Sequence, residues 1–96
     1  MGREEVVEAL RSHRDELAGL GVRSIRLFGS VARGEAGVDS DVDILVDFGG
    51  ATTFDQYMDV KLFLEDLLQT KVDLVTERGL RSRVRPYVEQ DAIRVA

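Results

Sequence analysis

The 96-residue sequence has no cysteine, no tryptophan and no asparagine, and only one proline and one histidine. The lack of thiols excludes disulfides, thiolate zinc sites and thiol catalysis. No apolar run approaches the ~20 residues needed to cross a bilayer. The opening stretch MGREEVVEALRSHRDELAGL is acidic and amphipathic, not a basic segment followed by an apolar block. Neither a membrane span nor a signal peptide is therefore expected, and the expected location is cytoplasmic. Positive charge is also scarce: 13 Lys and Arg stand against 18 Asp and Glu, for a net charge of −5. That balance argues against holding nucleic acid by bulk electrostatics.

What is present suits one small globular domain over residues 1–96, with 44% apolar and 32% charged residues. A chain this short buries a modest core and leaves little material for a separate acceptor-binding lobe. The charge is unevenly spread. Six aspartates fall between Asp39 and Asp59, whereas Arg78, Arg81, Arg83 and Arg85 crowd the region after the last clear strand. Those arginines read either as a wet helix face or as a patch for an acidic partner, an acceptor or a triphosphate.

Val6, Leu10, His13 and Leu17 recur at helical spacing, with Gly19 and Gly21 closing the helix. His13, on that apolar stripe, reads as a half-buried, hydrogen-bonded side chain. VRSIRLF (22–28) and DVDILVDF (41–48) alternate as strands, and Thr52 or Thr53 caps a helix over Phe54 to Gln69. That helix carries a wide apolar band: Tyr57, Val60, Leu64 and Leu67, broadened by Leu62, Phe63 and Leu68. The breadth fits a helix wedged between sheet and first helix, or a docking face that makes an oligomer or hetero-complex. KVDLVT (71–76) is a third strand. Leu80, Val84 and Tyr87 or Val88 suggest a last helix around Pro86, and IRVA a short edge strand. The order implies an α/β (α+β) fold, a small mixed sheet with helices on one face.

The chemistry concentrates in GSVARGEAGVDSDVDILVDF (29–48). Residues two apart on a strand point the same way, so Asp41 and Asp43 aim at one patch while Val42, Ile44 and Val46 turn to the other face. Two like charges side by side repel unless a cation lies between them. All-oxygen ligands favour magnesium, with manganese as the alternative. Asp73, between Val72 and Leu74, repeats the pattern on the next strand. Three such carboxylates could hold two metals ~3.5–4 Å apart, the arrangement that clamps both oxygens in phosphoryl transfer. Gly29 lets the chain turn off its strand and lets a phosphate approach, and Ser30 either faces that phosphate or caps a helix. Arg33 has two readings, a phosphate contact or a salt bridge to Glu35 or Asp39. Ser40 orients the loop before Asp41, and Asp47 reads as solvated. No Walker A lysine and no dinucleotide fingerprint is present. A solvent-facing strand edge is the plainer reading of the acids, but three acids beside a phosphate-type turn are a poor accident.

The Gly-Ser turn, the Asp-x-Asp strand and the form ARGEA…SDVDILV resemble the signature of DNA polymerase β-like nucleotidyltransferases. They look most like the minimal nucleotidyltransferase (MNT) domains of that superfamily, and the likeness spans roughly 22–75. It implies the polymerase β-like fold and transfer of a nucleoside monophosphate from magnesium-bound ATP to a hydroxyl. It also implies a nucleotide-binding turn at Gly29 and Ser30, and catalytic metal ligands at Asp41, Asp43 and Asp73. MNT domains are commonly antitoxins paired with a helical HEPN toxin, which they are understood to adenylylate on tyrosine. The rivals are a non-catalytic antitoxin that binds its partner stoichiometrically and a transferase acting on a small molecule or an RNA end.

Overall fold

The N-terminal apolar stripe folds as two helices rather than one. In the computed structural model, which describes residues 2–32, 34, 41–76 and 93–95, α1 (Arg3–Ser12) and α2 (Arg14–Gly19) meet at His13. The junction is a tightened turn in which the His13 N–H reaches the Leu10 carbonyl. The stripe survives it, because Val6, Leu10 and Leu17 are all buried. His13 is half-buried. Its Nδ1–H donates to the Ala9 carbonyl at 2.9 Å, and its ring meets Phe63 edge-on. This is the structural role expected of it.

Four strands form one mixed sheet in the order β3-β2-β1-β4: β1 (Ser24–Phe28), β2 (Val42–Asp47), β3 (Val72–Thr76) and β4 (Ile93–Arg94). β1 runs antiparallel to β2 and to β4, whereas β2 and β3 are parallel. The parallel pair follows from the α4 crossover (Phe54–Leu68) between them, since a hairpin can join only antiparallel strands. Three predicted strand starts are trimmed by the ladder. β1 begins at Ser24 rather than Val22, β2 at Val42 rather than Asp41, and β3 at Val72 rather than Lys71. The edge strand expected at IRVA is present as β4.

Register sorts the two faces. Ile25 lies opposite Val46, Leu27 opposite Ile44, and Ile44 opposite Leu74. These side chains form one core with Val6, Leu10 and Leu17 from α1 and α2 and with Val60, Leu64 and Leu68 from α4. The helices thus cover one face, as the alternation required. The other face carries Phe28, Asp43 and Asp73 in one row and Arg26, Leu45 and Val75 in the next. Leu45 is 2% exposed and lies outside the main core.

Thr53 caps α4, its hydroxyl accepting the Gln56 N–H at 3.1 Å, and Gln69 closes the helix in the left-handed conformation. Against β3 and α1 the helix buries Val60, Leu64 and Leu68, with Tyr57, Phe63 and Leu67 partly covered. The wedge between sheet and first helix therefore accounts for most of the apolar band. Leu62 is the member that faces out, 57% exposed. Two α4 side chains also satisfy the outer edge of β3. Tyr57 Oη donates to the Leu74 carbonyl at 2.6 Å, and the Val72 N–H donates to Glu65 Oε2 at 3.2 Å. An edge strand whose backbone is capped this way offers little to another chain. The helix expected around Pro86 and the arginines Arg78 to Arg85 lie outside the described residues.

Candidate active site

The site forms at the end of the sheet where β1 finishes and β2 and β3 begin. Phe28, the last residue of β1, is opposite Asp43, and Asp43 is opposite Asp73. Neighbouring strands lie ~4.8 Å apart, and side chains at one level of a parallel pair point the same way. The Asp43 and Asp73 carboxylates therefore share the face opposite α1, α2 and α4. Asp43 is half-buried and Asp73 exposed. Asp41 is also exposed, one residue ahead of β2. The ladder starts only where the Val42 N–H reaches the Lys71 carbonyl at 3.1 Å, so pairing does not set the direction of Asp41.

The chain leaves β1 directly into a single helical turn, α3 (Gly29–Ala32). Gly29 has φ +75°, a region costly for residues with a Cβ. A Cβ placed there would lie 2.1 Å from Asp43 Oδ2 and 2.9 Å from its Cγ. Glycine is thus required twice, by the backbone and by the carboxylate packed against it. At the far end of the turn, Ala32 is buried in the core, which seats α3 on the sheet. Ser30 contributes the second residue of the turn. Arg33 and Ser40 lie outside the described residues.

The donor set fits a hard divalent cation. Asp43 and Asp73 present carboxylate oxygens side by side, and Gly29 leaves open backbone against one of them. Among the described residues no three Asp, Glu or His side chains close a metal shell by themselves. Magnesium commonly takes one or two carboxylates and fills the rest of its octahedron with substrate phosphate and water, so this pair is sufficient for it.

Asp47 shares the strand parity of Asp43 but lies at the other end of β2. Its Oδ1 accepts the Gly49 N–H at 2.8 Å, which makes it a turn former rather than a member of the site. An open groove of about 380 Å³ also lies at that end, lined by Thr52, Phe54, Tyr57 and Thr76, away from the acids. Sequence reasoning missed one contact near the site: Arg3 Nη1 donates to the Ala32 carbonyl at 3.2 Å, across 29 residues. The available signal was a cation in the first turn of α1, where the helix dipole favours anions.

Comparison with known proteins shows what the chain as a whole resembles. The family model described as a nucleotidyltransferase domain matches residues 5–95. The protein adenylyltransferase MntA of Thermococcus cleftensis is 42% identical over 93 residues, covering 96% of this chain and 94% of its own length. A solved minimal nucleotidyltransferase superposes with a TM-score of 0.76 at 44% identity, covering 97% of this chain and 95% of that one. The structure of a tri-AMPylated HEPN toxin from Shewanella oneidensis in complex with MNT antitoxin shares the fold at a TM-score of 0.69. Its identity is 19%, and the match covers 94% of this chain and 71% of that one.

Proposed function

The chain belongs to the nucleotidyltransferase domain family and is a transferase, and from that premise we propose that it moves AMP from ATP onto a hydroxyl of a partner protein, acting as the antitoxin of a HEPN toxin. The observation that carries this reading is the Asp43–Asp73 pair lying in register beside the Gly29 turn. The relative named a protein adenylyltransferase supports AMP as the transferred group. The HEPN complex that shares the fold supports the partner, and a tyrosine hydroxyl is the acceptor this reading favours.

In this reading Gly29 and Ser30 receive the nucleotide phosphates on backbone N–H groups of the α3 turn. Asp41, Asp43 and Asp73 would hold two magnesium ions, which when bound neutralise the triphosphate and lower the proton affinity of the attacking hydroxyl. Asp73, the more exposed of the strand pair, faces the acceptor and takes its proton. The acceptor oxygen then bonds to the α-phosphorus, the bond to the β-phosphate oxygen breaks, and pyrophosphate leaves. The acceptor surface in this reading is the partner's, as the HEPN complex that shares the fold supports.

The test is label transfer. The protein and its Asp73→Ala variant are incubated in host lysate with magnesium and α-labelled ATP, with EDTA as a further control. Label on a protein band that depends on Asp73 and on magnesium is expected. Label confined to RNA or a small molecule would overturn the acceptor. No label in any fraction, with the partner shown to be present, would favour a stoichiometric antitoxin.

A further inference from the structure

We propose that Arg3 is a positioning residue for the nucleotide-binding turn, an inference that rests on the functional reading above. The turn is only four residues long, too short to hold itself, because isolated helical turns are unfavourable. Among the described residues three contacts hold it. Gly29 packs against the Asp43 carboxylate at one end, the Ala32 side chain sits in the core, and Arg3 Nη1 donates to the Ala32 carbonyl. The first is made with β2 and the second with the shared core. Arg3 alone among these reaches the turn from another helix, pinning the last carbonyl of α3 to the first residue of α1. A guanidinium on a helix-terminal carbonyl satisfies an acceptor that has no partner within so short a helix.

An ordinary structural explanation exists, in that an arginine can simply clip two elements together. Arg11 on the same helix does so: its Nε donates to the Val95 carbonyl at 3.2 Å, joining α1 to the chain beyond β4. The two clasps are alike in chemistry, and only the Arg3 clasp ends on the turn that receives phosphate. Losing it leaves the backbone N–H groups of α3 less well ordered for the phosphates, while the core and the acids remain.

The experiment titrates magnesium AMP-PNP calorimetrically into the wild-type protein and into the Arg3→Met and Arg11→Met variants. Methionine keeps an apolar stem and removes the donor. Arg3→Met is expected to weaken nucleotide binding about tenfold, the scale of one charge-assisted hydrogen bond. Arg11→Met is expected to bind as wild type does, with both variants showing similar melting temperatures without nucleotide. Wild-type affinity in Arg3→Met, or an equal loss in both variants, would overturn the positioning role while leaving the enzyme reading intact. Absence of nucleotide binding by the wild-type protein itself would overturn that reading and this inference with it.

Discussion

Replacing Gly29 by alanine probes the contact on which the site depends. Two costs arise. Holding a residue with a Cβ at φ +75° costs ~1–2 kcal/mol. The new methyl would also lie 2.1 Å from Asp43 Oδ2 and 2.9 Å from Cγ, so the carboxylate must turn away. Forcing a side chain off its rotamer adds ~0.5–1.5 kcal/mol. The Asp43 Cβ, at 3.2 Å, stays a tight neighbour that rotation cannot relieve. A total of ~2–3 kcal/mol should lower the melting temperature by roughly 8–24 °C in a domain of this size. The contact part separates in a double-mutant cycle. In an Asp43→Ala background the contacts with Oδ2 and Cγ vanish, so Gly29→Ala should cost only the backbone part and the residual tightness against Cβ. Thermal and urea unfolding of the four proteins give the coupling, expected at about 1 kcal/mol, above the ~0.3–0.5 kcal/mol scatter of independent sites. Equal costs in both backgrounds would refute the close packing of Gly29 on Asp43. No cost in either would refute the positive φ as well. Magnesium AMP-PNP binding should fall at least tenfold in Gly29→Ala, because the displaced carboxylate no longer faces its neighbour on β3.

Three further perturbations separate function from support. Asp73→Asn should abolish label transfer and change stability by less than ~0.5 kcal/mol, because the side chain is exposed; transfer at the wild-type rate would remove Asp73 from the reaction. Tyr57→Phe deletes the hydroxyl that caps Leu74 on the edge of β3 and should cost about 1 kcal/mol in urea unfolding, with label transfer unchanged. A loss of transfer at unchanged stability would instead place Tyr57 in the reaction. Thr53→Ala removes the α4 cap and should also cost ~1 kcal/mol. Protection of the first α4 amides in hydrogen exchange should fall with it, and undiminished protection would show that the helix start is held by other contacts.

Much of this arrangement is legible in the order of the amino acids, because local rules have short periods. Alternation of two sends Val42, Ile44 and Val46 to one face and Asp43 to the other. Helical spacing locates Val6, Leu10 and Leu17 in the core. It also locates the buried stripe of α4, and a threonine before Phe54 marks its start. The break at His13 is not legible, because a turn tightened by one hydrogen bond keeps the same apolar stripe.

The sequence by itself singled out the residues proposed to carry the chemistry: Gly29 after a strand, Asp43 on the wet parity of the next, and Asp73 repeating it on the strand after that. Only the tertiary structure decided that these three meet. Asp43 faces Asp73 because α4 carries the chain back to lay β3 parallel to β2 in one particular register, and a one-residue slip would have turned Asp73 into the core. Asp41 stays outside the ladder because pairing begins at Val42 and Lys71. Arg3 reaches Ala32 because α1 packs over the core that Ala32 enters. Local pattern specifies the face on which a side chain lies, whereas its neighbours on that face depend on long-range pairing that no short window of sequence contains.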